Sequence, residues 1–430
     1  MREAQDDEVF PESAQPGSEP VQSATDSVTS PDLKRLIDDF SAEYEDSLIS
    51  FRRKLHAGPE LSFQEFATTD AVAERLTQAG LSTHRLPSGT GLFCDIGVAG
   101  TRVALRADLD ALAMPDGKAV PYRSQNDGVA HACGHDVHTS IVLGAALVLS
   151  RLSEMGLLPG QLRVIFEPGE EQVPGGAVEV VELGLLRDIA MVFAVHCDPK
   201  LDVGVVGSRV GPITSAADRV EVTLHGPGGH TARPNLTVDL VAVMARLIQE
   251  LPDKLEARLG GPQNCRMVFG AAHAGDAVNV IPATAVVGGS LRTPDLVAWD
   301  SAPRALTESL EEILGDSGAS WEVIHVRGVP PVTNDSGAAE IAAQCVQDLL
   351  GQDALVKTEH SWGGDSFGWM TKETRGAFLR LGTHDPKQDT RLDLHHSQFD
   401  VAEEAILIGV RLLCRTAVSA LSELQESSSR

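Results

Sequence analysis

RVALRADLD at residues 102–110, TSIVLGAALVLSRLSEM at 139–155 and QLRVIFEPGEE at 161–171 decide the fold. The outer two are short apolar runs that break off into charged, Gly- or Pro-containing sequence, the pattern of a buried strand. The middle one is apolar around most of its circumference and reads as a buried crossover helix. IAMVFAVHCDP (189–199) and GAFLRLGTHDP (376–386) repeat the strand pattern downstream. Upstream, LKRLIDDFSAEYEDSLISFRRKLH (33–56) and FATTDAVAERLTQAG (66–80) repeat apolar residues at three and four, which predicts two amphipathic helices. Strands alternating with helices imply an α/β fold around an open, mainly parallel sheet. In such sheets the site lies beyond the carboxyl ends of the strands.

The middle of the chain reads differently. ADRVEVTLHG, VDLVAVMARLIQEL, RMVFGAAHAG, ATAVVGGSLRT, a helix near PRALTESLEEILGD and SWEVIHVRG give strand, helix, strand, strand, helix, strand. That order is an α+β module of the split-βαβ, ferredoxin-like kind. We place it at 214–328, inserted in a larger domain formed by 31–213 and 329–430. Two domains suit 430 residues. Residues 1–30 are rich in Ser, Pro, Glu and Asp, and are expected to be a solvated tail.

Composition removes several classes of function. The chain carries 35 Lys+Arg against 61 Asp+Glu, a formal charge of −26, which repels phosphate backbones and anionic lipid. No nucleic-acid or membrane partner is expected, and no run of about 18 apolar residues is present. The six cysteines, Cys94, Cys133, Cys197, Cys265, Cys345 and Cys414, are scattered, unlike a secreted disulfide framework. A reducing cytoplasm is expected.

Chemistry concentrates just before the crossover helix. His131-Ala-Cys133-Gly-His135-Asp136-Val-His138 packs three imidazoles, a thiol and a carboxylate into one short stretch, a donor set suited to a transition metal such as zinc. Glu170-Glu171 follows the apolar run of 161–166; neighbouring residues point different ways, so one can bind metal while the other faces water. His196 ends MVFAV, and His395-His396 precedes the last helix. All four pieces sit where a predicted strand finishes or a helix begins, so they meet at one rim of a parallel sheet. Asp108 ends an adjacent strand and Asp136 neighbours His135; either carboxylate is placed to orient a ligand imidazole or to cap a helix.

At this point the chain resembles the metal-dependent amidohydrolases that include hippurate hydrolase, the auxin-conjugate hydrolases and N-acyl-amino-acid amidohydrolases, with more distant similarity to aminoacylase and glutamate carboxypeptidase. The matching stretches are FRRKLHAGPELSFQE, ALRADLDAL, HACGHDVHTS, EPGEE with GGA, AVHCDP, GPGGHTARP, AVNVIPATA and LHHSQFDVAEEAI, in family order from about residue 50 to 410. The resemblance implies a metallopeptidase-like catalytic domain holding two divalent ions (zinc, manganese, cobalt or nickel) and an inserted lid through which two copies form a homodimer. It implies Cys133, His135, Glu171, His196 and His395 as ligands, with His396 the alternative to His395, and Glu170 as general base. His230 in the lid would hold the scissile carbonyl, often from the second subunit; Asn279 and Arg233 would contact substrate. The implied reaction is hydrolysis of the amide of an N-acyl amino acid or small peptide. The chain departs from the family pattern at Ala113-Met114-Pro115 and at Gly363-Gly364-Asp365-Ser366-Phe367.

Two other readings exist. Gly364-Asp365-Ser366-Phe367-Gly368 fits the nucleophile elbow of a serine hydrolase, with Asp393 and His395 following in order. The apolar strand that should precede an elbow is missing, since TEHSWGG stands there. A metal-binding regulatory protein that kept the fold and lost catalysis is the other; Glu170 and His230 argue against it, because neither is needed merely to hold metal.

Overall fold

The structure is a computed structural model that describes residues 30–428. The expected tail lies, apart from Ser30, outside them. Two helices open the described chain, α1 (Ser30–Ala57) and α2 (Phe66–Gln78), as the spacing predicts. Then come β1 (Thr83–Arg85), β2 (Leu92–Gly97), β3 (Arg102–Asp108), α3 (His135–Glu154), β4 (Gln161–Glu167), α4 (Ala177–Glu182), β5 (Ile189–Asp202) and β6 (Val206–Ser208). After β7 (Gly211–Pro212) the chain leaves this layer and returns at β14 (Thr333–Asn334), which pairs with β7. α7 (Ser336–Leu350), β15 (Leu355–Lys357), α8 (Phe367–Glu373), β16 (Arg375–His384) and α9 (Glu404–Ser428) complete it.

All of these strands except β7 and β14 form one eight-stranded sheet in the order β1-β2-β4-β3-β5-β16-β6-β15. Its centre, β4, β3, β5 and β16, is parallel, and therefore brings four carboxyl ends to one edge. Helix α3 packs against β3, and nearly all of its side chains are buried, which is why its sequence is apolar all round. Helix α9 is, among the described residues, the one helix long and apolar enough to cross a membrane; it packs against α1, α3 and α7 as a core helix.

His196 sits inside β5 rather than at its end. The pairing explains its place at the edge: β5 pairs with β3 only as far as Leu105 opposite Phe193, then runs on beside β16 with His196 opposite Arg380.

Between β7 and β14 lie β8 (Ala217–His225), β9 (Gly229–His230), α5 (Leu240–Leu259), β10 (Arg266–Ala274), β11 (Val280–Ile281), β12 (Thr284–Arg292), α6 (Leu296–Leu314) and β13 (Ser320–Val329). Four of these strands make an antiparallel sheet in the order β10-β12-β8-β13. It has its own core, in which Val222, Leu247, Leu251, Leu306 and Leu310 are fully buried. α6 begins seven residues before the expected Pro303, because Asp295 caps it by accepting from the Ala298 N–H at 2.9 Å.

Candidate metal centre

The sharp turn before α3 sets the first two donors. Gly134 adopts φ +91°, and a Cβ there would lie 2.7 Å from Cys197 Sγ, so only glycine fits. The turn presents Cys133 and His135 to the carboxyl edge of the sheet. Cys133 Sγ lies 3.5 Å from His196 Nε2. His135 Nε2 lies 4.0 Å from Glu170 and 3.9 Å from Glu171, and His395 Nε2 lies 3.5 Å from Glu171 Oε1. Three overlapping sets, Cys133/His135/His196, Cys133/Glu171/His395 and His135/Glu170/Glu171, each hold their donor atoms within 4.8 Å of one another. His395 is held there at φ +62°, a conformation side chains other than glycine rarely adopt, by its N–H bond to Ala132 O. His396 is exposed and turned to its own loop, accepting from the Gln398 N–H.

The ring orientations suit metal binding. His135 Nδ1 donates to the Asp110 carbonyl at 2.9 Å, with Asp110 Oδ1 at 3.2 Å; His196 Nδ1 donates to the Cys197 carbonyl at 2.8 Å. Both rings therefore turn Nε2 toward the cluster. His135 Nε2 and Glu171 Oε1 are buried without a hydrogen-bond partner, and a cation among these sulfur, nitrogen and oxygen donors would satisfy both. With no cation counted, burial works to lower the His135 pKa, but Asp108 and Cys133 override it and hold it well above the ordinary value. Burial, Asp365 and Glu171 push the Glu170 carboxyl well up. A divalent ion would reverse both shifts. His138, the remaining imidazole of the motif, is already used: Nδ1 donates to Asp108 at 2.7 Å and Nε2 accepts from the Cys197 N–H at 2.8 Å.

Beneath the cluster lies a closed network. Arg106 Nε donates to Glu167 and Nη1 to Asp108, both at 2.7 Å, and Nη2 donates to Ser366 Oγ at 3.0 Å. Asp108 thus supports the edge through Arg106 and His138. Asp108 Oδ2 also lies 3.7 Å from His135 Nε2; the carboxylate at that ring's Nδ1 is Asp110, whose other oxygen accepts from Ser62 at 2.6 Å and from the Glu171 N–H at 2.9 Å. Sequence reasoning missed Asp110, Arg106 and Glu167. The available signal was three charged residues at period two, Arg106-x-Asp108-x-Asp110, in an otherwise buried strand, where each charge needs a partner.

Two expectations need correction. Asp136 does not orient His135: successive helix residues diverge by about 100°, and its carboxylate meets Arg52 Nε and His56 Nδ1, each at 2.7 Å. Ser366 is no nucleophile. Its hydroxyl is fully buried and spent on Glu167 and Arg106, and its φ of −63° is ordinary helical backbone rather than a strained elbow. Its backbone N–H instead donates to Glu170 Oε1 at 3.1 Å.

The cluster opens into a cleft of about 330 Å³, whose walls include Arg292 of β12 and Arg380 of β16. Burial lowers the pKa of both guanidinium groups. His230, Arg233 and Asn279 do not line it. They lie together on the exposed surface around the β9–β11 ladder, where the Thr231 N–H meets Asn279 O at 3.3 Å.

Comparison with known proteins agrees with this geometry. Peptidase family M20/M25/M40 matches residues 104–419, which hold the parallel edge and the four-stranded sheet together. The chain belongs to that family. Among M20 relatives, a Bacillus subtilis N-acetylcysteine deacetylase is 32% identical over 381 residues, covering 88% of this chain and 98% of its own length. A Rhodococcus jostii protein named putative glutamate–cysteine ligase 2-3 is 40% identical over 385 residues, but the match spans only 47% of that relative. The M20 fold match includes a Bacillus subtilis dinuclear metal-binding peptidase at TM-score 0.77 and 31% identity, covering 89% of this chain and 99% of that one.

Proposed function

We propose that this protein hydrolyses the amide bond of N-acyl amino acids or small peptide-like conjugates, using two divalent ions held by Cys133, His135, Glu171, His196 and His395. The observation that carries this reading is the convergence of all five donors around Glu170 at the mouth of one cleft. The N-acetylcysteine deacetylase and the dinuclear peptidase among its relatives support it. Zinc, manganese, cobalt and nickel all suit the mixed donor set.

Bound there, the ions supply Lewis acidity, lowering the pKa of water and polarising a carbonyl oxygen. Glu170, fixed by the Ser366 N–H, takes a proton from the attacking water and passes it to the leaving nitrogen. Asp110 and the Cys197 carbonyl keep the two imidazoles turned toward the ions. His230 stabilises the developing oxyanion, and Arg233 and Asn279 contact substrate. Because these three do not line the cleft of their own chain, they act from the second copy of a homodimer formed through the inserted module at 214–328. The catalytic domain is then 31–213 with 329–430, and the six buried, unpaired thiols favour a cytoplasmic enzyme.

The test is release of free amino acid from N-acetyl, N-benzoyl, indole-acetyl and dipeptide substrates, run on chelated protein and after adding back each metal. Turnover abolished by chelator and restored by metal is expected. A metal-loaded chain inert across the panel would count against hydrolysis.

A further inference from the structure

This acid-rich chain pairs its buried guanidinium groups elsewhere. Arg52 meets Asp136, Asp400 and Glu403, and Arg106 meets Asp108 and Glu167. The two arginines of the cleft break that habit. Arg380 lies beside His196 across the β5–β16 ladder; its guanidinium sits over the Phe378 ring, 5.1 Å from the centroid, and among the described residues donates no hydrogen bond, and the carboxylates that feel its charge, Asp365 and Asp198, stay beyond the 4.0 Å of an ion pair. Arg292 bonds only Ser290 Oγ at 2.9 Å and likewise meets no carboxylate within ion-pair distance. Both line the same cleft.

Both residues are half-buried and line an open cleft; a substrate that fills it displaces the water there, and a guanidinium then left without an anion is costly, so that substrate must bring negative charge to it. An ordinary N-acyl amino acid carries one carboxylate. With two guanidinium groups to satisfy, a single carboxylate leaves charge uncompensated when water is expelled, whereas two carboxylates match it. The planar fork of arginine also favours carboxylate over a point anion.

We propose that Arg380, with Arg292, selects substrates bearing a second carboxylate, either on the side chain of the amino acid or at the far end of the acyl group. The inference rests on the amide-hydrolase reading above and names its substrate class. Arg380 approaches from the sheet and Arg292 from the inserted module, so the preference is read where the two parts of the chain meet around the substrate.

The experiment compares kcat/KM on the metal-loaded enzyme for two matched pairs: N-acetyl-L-glutamate against N-acetyl-L-glutamine, and N-succinyl-L-alanine against its terminal amide. The charged member of at least one pair is expected to lead by about tenfold or more, chiefly through KM. Which pair responds identifies the carboxylate's position. Arg380→Met should bring that ratio close to one while metal content stays at the wild-type value, and Arg380→Lys should restore part of it. Should Arg380→Met fail to fold, Arg292→Met carries the same comparison. Ratios near one in the wild type, or a preference that survives loss of the guanidinium, overturn the proposal and leave amide hydrolysis standing. Calorimetric binding of glutarate against its monoamide decides the matter without turnover. If no substrate is cleaved, hydrolysis fails; glutarate held more tightly, and only with Arg380 present, still supports the charge selection, whereas equal binding overturns it.

Discussion

Two polar clusters occupy the same carboxyl edge of the sheet, and they differ in how their hydrogen-bonding capacity is used. Around Arg106, every charged or polar group has a partner: Glu167, Asp108, His138 and Ser366 close on one another and on the backbone of Ala177 and Cys197. Around Glu170, a few ångströms away, His135 Nε2 and Glu171 Oε1 are buried and make no hydrogen bond, with only looser contacts to Asp108 and His395. Both sets are acidic, so composition does not separate them, and the second, though only partly buried with His395 exposed, is not marked off by depth alone. Saturation separates them. A closed network is scaffold, because its members gain nothing from a ligand; donor atoms left open toward a cleft are where a ligand lowers the free energy.

Substitutions on either side should fail in different ways. Glu170→Gln keeps shape but removes the proton acceptor, and turnover should drop about 100- to 10,000-fold while bound metal, measured by elemental analysis, is unchanged. Wild-type rates in a metal-replete variant would remove Glu170 from the chemistry and blur the contrast. Arg106→Met attacks the closed network. It strands Asp108 and Glu167 without their shared cation and should cost about 3–5 kcal/mol of stability, read from urea unfolding; a loss below about 0.5 kcal/mol would show that the network is not scaffold. Asp110→Asn tests the seam between the two, since this carboxylate faces the His135 ring and the Glu171 backbone. Metal affinity, measured by chelator competition, should weaken about 10- to 100-fold. An unchanged affinity would mean that the Asp110 carbonyl alone fixes the ring.

Much of the candidate site was legible because metal donors are chemically distinctive and few. The 131–138 stretch, Glu170-Glu171, His196 and the His395-His396 pair stood out by residue type and by their places beside strand ends and helix starts, and the family resemblance implied Cys133, His135, Glu170, Glu171, His196 and His395 within them. The choice of His395 over His396 came from the resemblance and not from the residues themselves. It turns on a left-handed backbone residue and one hydrogen bond to Ala132, neither of which leaves a mark in a pair of identical side chains. Asp136 looked as suitable as Asp108 because adjacency in sequence says nothing of direction; on a helix the next residue belongs to another face. The elbow-like Gly364–Gly368 was a coincidence of spacing, already doubtful because TEHSWGG precedes it and settled by where the Ser366 hydroxyl goes.

The sequence alone determined the class of fold, since strand and helix periodicities are local properties, and it determined the donor types, since only certain side chains bind metal. It also carried the order of elements that makes the antiparallel sheet between Ala217 and Val329. Tertiary structure decided which polar groups are spent and which are free. That depends on partners far apart in the chain, as when Ser366 meets Glu167, or when Arg380 on β16 and Arg292 on β12 reach one cleft with no carboxylate in ion-pair range. Hydrogen bonds and charge pairs act over a few ångströms in space and are indifferent to separation along the sequence, so their accounts close only in the folded molecule.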